Sequence, residues 1–272
     1  MIPHYLNSRA GRVFSVYFPP QDDTPVRARL LFLPPFAEEL NRSRHVMAAF
    51  ARGCAKNGIG VALLDPYGTG DSEGDFGDAR WDIWKDDVSA ALQWLEGMGD
   101  EPIAIGGLRL GATLAADFVS DHPGRFKRLV LWQPVSNGQT YLKQFLRIKF
   151  AADLAEGGEG QGTKALMAEL ESGKPVEVAG YDLAPELAKS MEGLKLGSLL
   201  VAAKMPITWL EVAGQNDAPL SPATARIVTD SQSAGIAVTA KTVGDQAVWQ
   251  LQARVEMTNF VRAAVDMIGS AL

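Results

Sequence analysis

The sequence predicts an α/β protein with a mostly parallel, doubly wound sheet and helices on both faces. Short apolar runs alternate along the chain with longer segments whose apolar residues keep helical spacing, and this alternation indicates strands joined by crossover helices. Most of the runs are continuously apolar, as strands covered on both faces are. The 272 residues suffice for one large domain or for a domain with an insertion.

The first strands and the first helix can be placed from these patterns. Residues 12–18 alternate and end at a Pro-Pro pair, which is typical of an early edge strand. Residues 28–33 and 59–64 are predicted buried strands. Between them, Ser43 is placed to cap a helix that closes at residues 57–58.

The remaining core elements follow the same reasoning. Apolar runs predict strands at residues 103–105, 128–132, 207–212 and 236–240. A final amphipathic helix is predicted over residues 257–268.

The alternation stops between residues 136 and 203. Helical patterns fill this stretch, together with a glycine-rich segment at residues 157–162 that is typical of a linker. We therefore predict that residues 1–135 and 204–272 form the core and that residues 136–203 are an inserted helical cap.

The composition argues against several classes of partner. A net charge of -6 with both signs interspersed gives no basic face for nucleic acid.

The single cysteine, Cys54, excludes an internal disulfide, and no histidine and carboxylate spacing resembles a zinc site, so we expect no metal and no cofactor. No run reaches the roughly 20 apolar residues of a membrane span. The first residues carry no secretory signal, and we expect a cytoplasmic protein.

A glycine-flanked turn follows the strand at residues 103–105. Gly107-Leu108-Arg109-Leu110-Gly111 has the spacing of a nucleophile elbow, a strained turn that presents its middle side chain at the carboxyl end of a strand. The middle residue is Arg109, whose guanidinium stays protonated at ordinary pH and cannot act as a nucleophile. The sequence thus predicts an enzyme's turn with a fixed positive charge in the nucleophile's place.

Two other loops are expected at the same edge of the sheet, where ligands of parallel sheets bind. The loop after residue 33 carries Phe36, Glu38 and Glu39, and its backbone amides are candidates for one side of an oxyanion hole. The loop after the strand at residues 207–212 offers Asp217, in the place where a catalytic acid would orient a histidine.

These segments carry a family resemblance. The chain resembles α/β-hydrolase-fold proteins over almost its whole length, and more closely the bacterial group called exosortase A system-associated hydrolase 2. The closer match rests on residues 35–44 and 107–112. It implies a hydrolase fold. It also implies that the gene lies near genes for exopolysaccharide synthesis and for the sorting of proteins that carry a carboxyl-terminal membrane tag. A protein partner from that system is therefore one expectation. The resemblance implies no particular substrate.

The catalytic triad of this fold is incomplete when it is carried over residue by residue. The acid position matches Asp217, but the nucleophile position holds Arg109. The histidine is expected near residues 244–250, and the three histidines, at positions 4, 45 and 122, all precede the acid. Because a serine hydroxyl needs an adjacent base to become a good nucleophile, we expect no conventional Ser-His-Asp mechanism.

The positive potential of a helix N-terminus disfavours a cation at the elbow, so we expect an anion to lie near Arg109 and neutralise its charge. In one interpretation Glu38, Glu39 or Asp217 neutralises Arg109 as a buried ion pair. In the other, Arg109 binds a carboxylate, phosphate or sulfate of a ligand. The two interpretations are compatible.

The leading hypothesis is a pseudoenzyme that binds a small anionic or acylated ligand, or a protein partner, between core and cap. The alternative is an active ester or acyl hydrolase in which Arg109 stabilises an anionic transition state and a carboxylate activates water. A third hypothesis is a scaffold that uses the cap surface alone. The candidate ligand-binding residues are Phe36, Glu38, Glu39, Leu108, Arg109, Leu110 and Trp249.

Overall fold

A computed structural model describes residues 1–21, 24–155, 157 and 162–272. The strands are β1 (Ile2–Asn7), β2 (Arg12–Phe18), β3 (Ala28–Leu33), β4 (Ile59–Leu64), β5 (Ile103–Leu108), β6 (Leu129–Trp132), β7 (Val176–Val178), β8 (Tyr181–Leu183), β9 (Ile207–Ala213) and β10 (Val238–Gly244). The α-helices are α1 (Glu38–Ala55), α2 (Trp81–Glu96), α3 (Leu110–Asp121), α4 (Gly138–Ala155), α5 (Thr163–Glu171), α6 (Pro185–Glu192), α7 (Leu196–Ala203), α8 (Pro222–Ser233) and α9 (Thr258–Ala271). Short 3-10 helices lie at Phe76–Asp78 and Val248–Gln250.

Eight of these strands form one sheet in the order β1-β2-β4-β3-β5-β6-β9-β10. The six neighbouring strands β4, β3, β5, β6, β9 and β10 are parallel. Strand β2 pairs antiparallel with β4, and β1 pairs antiparallel with β2 at the edge. Helices α1 and α9 cover one face of the sheet, whereas α2 and α3 cover the other. The predicted fold class, a mostly parallel sheet with helices on both faces, is confirmed.

Two predicted positions of elements are wrong, and the strand predicted at residues 236–240 is displaced, since β10 spans Val238–Gly244. Residues 12–18 are not the edge strand, because β1 pairs outside them. Most residues of β1 are exposed, so its sequence lacks the apolar pattern by which the other strands were recognised. Helix α1 begins at Glu38 rather than near Ser43, which is buried inside the helix. The two acidic residues at its start suit the positive end of the helix dipole.

The chain between β6 and β9 consists of α4, α5, the β7-β8 hairpin, α6 and α7. Helix α4 packs against α5 and α6, and α7 packs against α3 of the core. Of the glycine-rich segment predicted as a linker, residues 158–161 lie outside the described residues. None of the helices described is long and apolar enough to cross a membrane.

Candidate functional site

Arg109 alone makes the turn between the buried strand β5 and helix α3. Its backbone angles, φ 57° and ψ -119°, lie where residues with side chains rarely occur. The Arg109 N–H donates to the Trp132 carbonyl at 2.9 Å, and the Val135 N–H donates to the Arg109 carbonyl at 3.3 Å. A strained residue of this kind costs about 1–3 kcal/mol and persists only where its surroundings enforce it. Here the end of β6 and the segment after it hold the turn.

Gly107 and Gly111 make this turn possible. A Cβ atom on Gly107 would lie 2.5 Å from the carbonyl carbon of Gly111. A Cβ atom on Gly111 would lie 2.1 Å from the carbonyl oxygen of Pro34 and 2.7 Å from that of Leu33. These neighbours are backbone atoms, so they cannot rotate away. Glycine is therefore required at both positions.

The Arg109 side chain is held by groups from several elements. Its Nε–H donates to Oε1 of Glu39, on the first turn of α1, at 3.2 Å, and Nη1 makes a long contact of 3.4 Å with the Gln133 carbonyl. The guanidinium carbon lies 5.4 Å from the ring centre of Tyr141, on α4, and 5.7 Å from that of Trp249. The side chain is only 15% exposed. The positive charge of Arg109 is thus stabilised by an ion pair with one carboxylate and by contacts with two aromatic rings.

Of the three carboxylates proposed as partners, the structure brings only Glu39 to Arg109. Asp217 is exposed in the loop after β9, and no hydrogen bond or ion pair joins its carboxylate to Arg109 among the described residues. Glu38 is half-buried, and Arg42 is the cation that acts on its carboxyl group. The predicted acid position and the predicted nucleophile position are therefore not joined in this structure.

Burial dominates the electrostatics of Glu39. The residue is 8% exposed, and this desolvation raises the pKa of its carboxyl group from the ordinary 4.5 to about 7. The charge of Arg109 lowers this pKa, and the charge of Glu38 raises it further. The ion pair therefore offsets only part of the cost of burying the charged carboxylate. Both the charged and the protonated form of this carboxyl group are populated near neutral pH.

The apolar site candidates are divided between the two sides of the sheet. Phe36 and Leu110 belong to the core beneath α2 and α3, whereas Leu108 and Trp249 belong to the core beneath α1 and α9. The Phe36 ring makes edge contacts with four other aromatic rings, those of Phe76, Trp84, Tyr141 and Phe145. A cavity of about 20 Å³ beside Phe36 has room for one water molecule. These side chains pack closely around the elbow.

The histidines have partners elsewhere in the fold. His4 stacks on Trp94, a ring nitrogen of His45 lies 2.8 Å from the Val255 carbonyl, and His122 stacks on Phe118. The segment after β10, where the fold's histidine would lie, instead places Trp249 against Arg109. No group of three or more histidine, cysteine or acidic side chains in the described part of the chain could hold a metal ion.

Sequence reasoning missed the role of Gln133 as a partner of Arg109. Gln133 has a positive φ of 41°, its carbonyl faces the Arg109 guanidinium, and its Oε1 accepts a hydrogen bond from the Val212 N–H at 2.8 Å. It thereby ties the carboxyl ends of β6 and β9 to the elbow. The only signal in the sequence is its position between a buried strand and a proline.

Solved structures of similar fold include esterases, a proline iminopeptidase and a protein described as an α/β-hydrolase. Est1E from Butyrivibrio proteoclasticus, determined with ferulic acid bound, superposes with a TM-score of 0.73 at 13% identity over 98% of each chain. Proline iminopeptidase from Mycobacterium smegmatis gives 0.61 at 15% identity, covering 99% of this chain and 98% of that one. DcsB in complex with a substrate analogue gives 0.62 at 13% identity over 100% and 99%. At such identities the likeness shows the fold alone.

Sequence comparison adds the family. Among curated proteins, none matches this sequence. Residues 24–186, from before β3 to the start of α6, match the family Hydrolase_4, described as serine aminopeptidase, S33. This stretch exceeds half of the chain and contains the elbow. The protein therefore belongs to the serine aminopeptidase S33 family of α/β-hydrolase-fold proteins.

Proposed function

We propose that this member of the family is a pseudoenzyme that binds a small anionic or acylated ligand at Arg109. The observation that carries the proposal is the arginine in the elbow conformation, with a carboxylate of the protein against its guanidinium. Glu39 takes the position that a ligand's carboxylate would take, because arginine binds carboxylates through the same N–H groups in either case.

We further propose that the ligand is enclosed between the core and a cap formed by residues 136–203. Tyr141, near the start of α4, supports this proposal, since its ring lies against the Arg109 guanidinium and contacts Phe36. Movement of α4 would uncover the cation. We expect Trp249, whose ring also lies against the guanidinium, to form an apolar wall of the opened site, with Leu108 and Leu110 flanking Arg109 from the two sides of the sheet.

We expect no serine-hydrolase activity. A fluorophosphonate probe should not label the protein specifically, and short-chain aryl esters should not turn over above a heat-inactivated control. Arg109→Ser should remain inactive as well, because no histidine is placed to take the hydroxyl proton. Turnover by the unmodified protein that survives repurification would contradict the proposal.

Ligand binding is tested by titration calorimetry with hexanoate, benzoate, ferulate, phosphate and sulfate. Ferulate belongs in the panel because the Est1E structure contains ferulic acid. We expect at least one carboxylate to bind, and Arg109→Ala to weaken that binding about tenfold or more, since a charge-assisted hydrogen bond contributes about 1.5–3 kcal/mol. The control is Arg42→Ala, which removes a nearby cation that contacts the Trp249 carbonyl instead. Equal losses in both variants would argue against a specific role for Arg109.

A second function is favoured by one observation, the burial of the Glu39 carboxyl group beside the Arg109 guanidinium. A carboxyl group with a pKa of about 7 suits a general base at neutral pH. In this alternative Glu39 activates water for hydrolysis of an ester or acyl bond, and Arg109 stabilises the anionic transition state. Turnover that is abolished by both Glu39→Gln and Arg109→Ala would establish it.

The resemblance of residues 35–44 and 107–112 supports a cellular role in the exosortase and exopolysaccharide system. We propose that the protein acts there in the cytoplasm, alone or with a protein partner of that system. Deletion of its gene should alter exopolysaccharide export or protein sorting. Complementation with the unmodified gene, but not with Arg109→Ala, would connect this role to the site.

A further inference from the structure

We propose that Glu39 is a built-in competitor for Arg109: the site takes a monocarboxylic acid, and Glu39 takes up one proton when the acid replaces it on the guanidinium. This inference rests on the proposed ligand-binding function. It adds the class of the ligand and a link between binding and pH.

The contact between Glu39 and Arg109 is incomplete, which makes Glu39 replaceable. Arginine can hold a carboxylate by two parallel hydrogen bonds, but here a single N–H contacts Oε1 at 3.2 Å. The second oxygen, Oε2, is buried and accepts no hydrogen bond of normal length among the described residues, and the Tyr141 hydroxyl is the other donor group that acts on this carboxyl. A ligand carboxylate that made both contacts would satisfy more of the donors of Arg109 than Glu39 does.

The charges around the site favour a monoanion. The groups that act on Glu39 are Glu38 from its own helix, Arg109 from the elbow and the hydroxyl of Tyr141 from α4. When Glu39 is neutral, the single positive charge of Arg109 is available to bind an anionic ligand. A carboxylate neutralises that charge, whereas a phosphate or sulfate dianion would leave an excess negative charge in a largely buried site near Glu38.

Proton uptake follows from what Glu39 loses when a ligand binds. Arg109 is the cation that holds down the pKa of Glu39, and the ligand removes this contact and brings a negative charge of its own. Both changes raise the pKa of Glu39 above about 7. A buried carboxyl group without a cation is more stable protonated, so a proton from the solvent forms an O–H bond on Glu39, and no other covalent bond changes.

Calorimetric titration of the unmodified protein with benzoate at pH 6, 7 and 8 tests the inference. Each titration is repeated in two buffers of different ionisation enthalpy, which gives the number of protons taken up. We expect the Kd to rise about tenfold from pH 6 to pH 8, and the uptake to approach one proton at pH 8.

Two variants distinguish the contribution of Glu39 to the pH dependence of binding from that of Glu38. Glu39→Gln keeps the size of the side chain but cannot titrate, so we expect binding without pH dependence or proton uptake, and about tenfold tighter than in the unmodified protein at pH 8. Glu38→Gln should keep the proton uptake and the pH dependence of the Kd, with the onset of that dependence at lower pH, because the charge of Glu38 raises the pKa of Glu39. Melting curves of both variants confirm that they are folded.

The outcomes distinguish the inference from the function on which it rests. Benzoate binding that is independent of pH and takes up no proton overturns the inference and leaves the ligand site standing. Phosphate binding tighter than benzoate overturns the ligand class. Absence of binding of every acid tested, to the unmodified protein and to Glu39→Gln at each pH, overturns both the inference and the proposed function.

Discussion

Arg109→Ala is expected to lower the free energy of unfolding by about 3 kcal/mol at pH 8, because Glu39 loses its cation and must either stay charged while buried or take up a proton from a solution that holds few. The two rings that flank the guanidinium lose their contact with it as well. The measurement is urea denaturation followed by tryptophan fluorescence and circular dichroism at pH 6, 7 and 8.

The loss should depend on pH in a defined direction. The pKa of Glu39 in the folded protein, about 7, lies above the ordinary value of 4.5 expected for the unfolded chain. The folded state therefore binds more protons in this window, and the contribution of Glu39 to stability falls as the pH rises from 4.5 to 7. Without Arg109 the folded-state pKa is higher still. The difference between variant and unmodified protein should thus grow above pH 7, by about 1.4 kcal/mol per pH unit.

The matched control is the double variant Arg109→Ala, Glu39→Gln, compared with Glu39→Gln alone. Because no carboxylate remains at this position, removing Arg109 should then cost the same at pH 6 and pH 8. A loss for the single variant that does not change with pH would show that Glu39 is not the group that Arg109 neutralises.

Gly111→Ala is expected to destabilise the protein by about 3 kcal/mol or more, because the added methyl group overlaps two backbone carbonyl oxygens at the end of β3. The strand and the first turn of α3 would have to separate. This distortion would also move Arg109 away from Glu39. We expect a lowered urea midpoint, or an insoluble product on expression.

Gly269→Ala is the control for that substitution. Gly269 lies in α9, and a Cβ atom there would meet nothing within 4 Å. Alanine favours a helix over glycine by about 0.5–1 kcal/mol, so this variant should be as stable as the unmodified protein or slightly more stable. If Gly111→Ala were equally well tolerated, the close approach of β3 and α3 would not be a constraint on the fold.

The sequence predicted the fold class for a physical reason that acts locally. Strands of a parallel sheet are covered on both faces, so β3, β4 and β6 appear as continuous apolar runs. The elbow was predictable too, since its close contacts tolerate only glycine at two positions. By contrast, β1 was missed because it lies at the exposed side of the sheet, where an apolar pattern is not required.

The sequence by itself determined that Arg109 stands in the nucleophile's place and that no histidine follows Asp217. Only the tertiary structure decided which carboxylate forms the ion pair with Arg109. Glu38 and Glu39 are equivalent in the sequence, but successive residues of a helix point about 100° apart. Because α1 begins at Glu38, its first turn directs Glu39 to the elbow, and burial there raises the pKa of this carboxyl group.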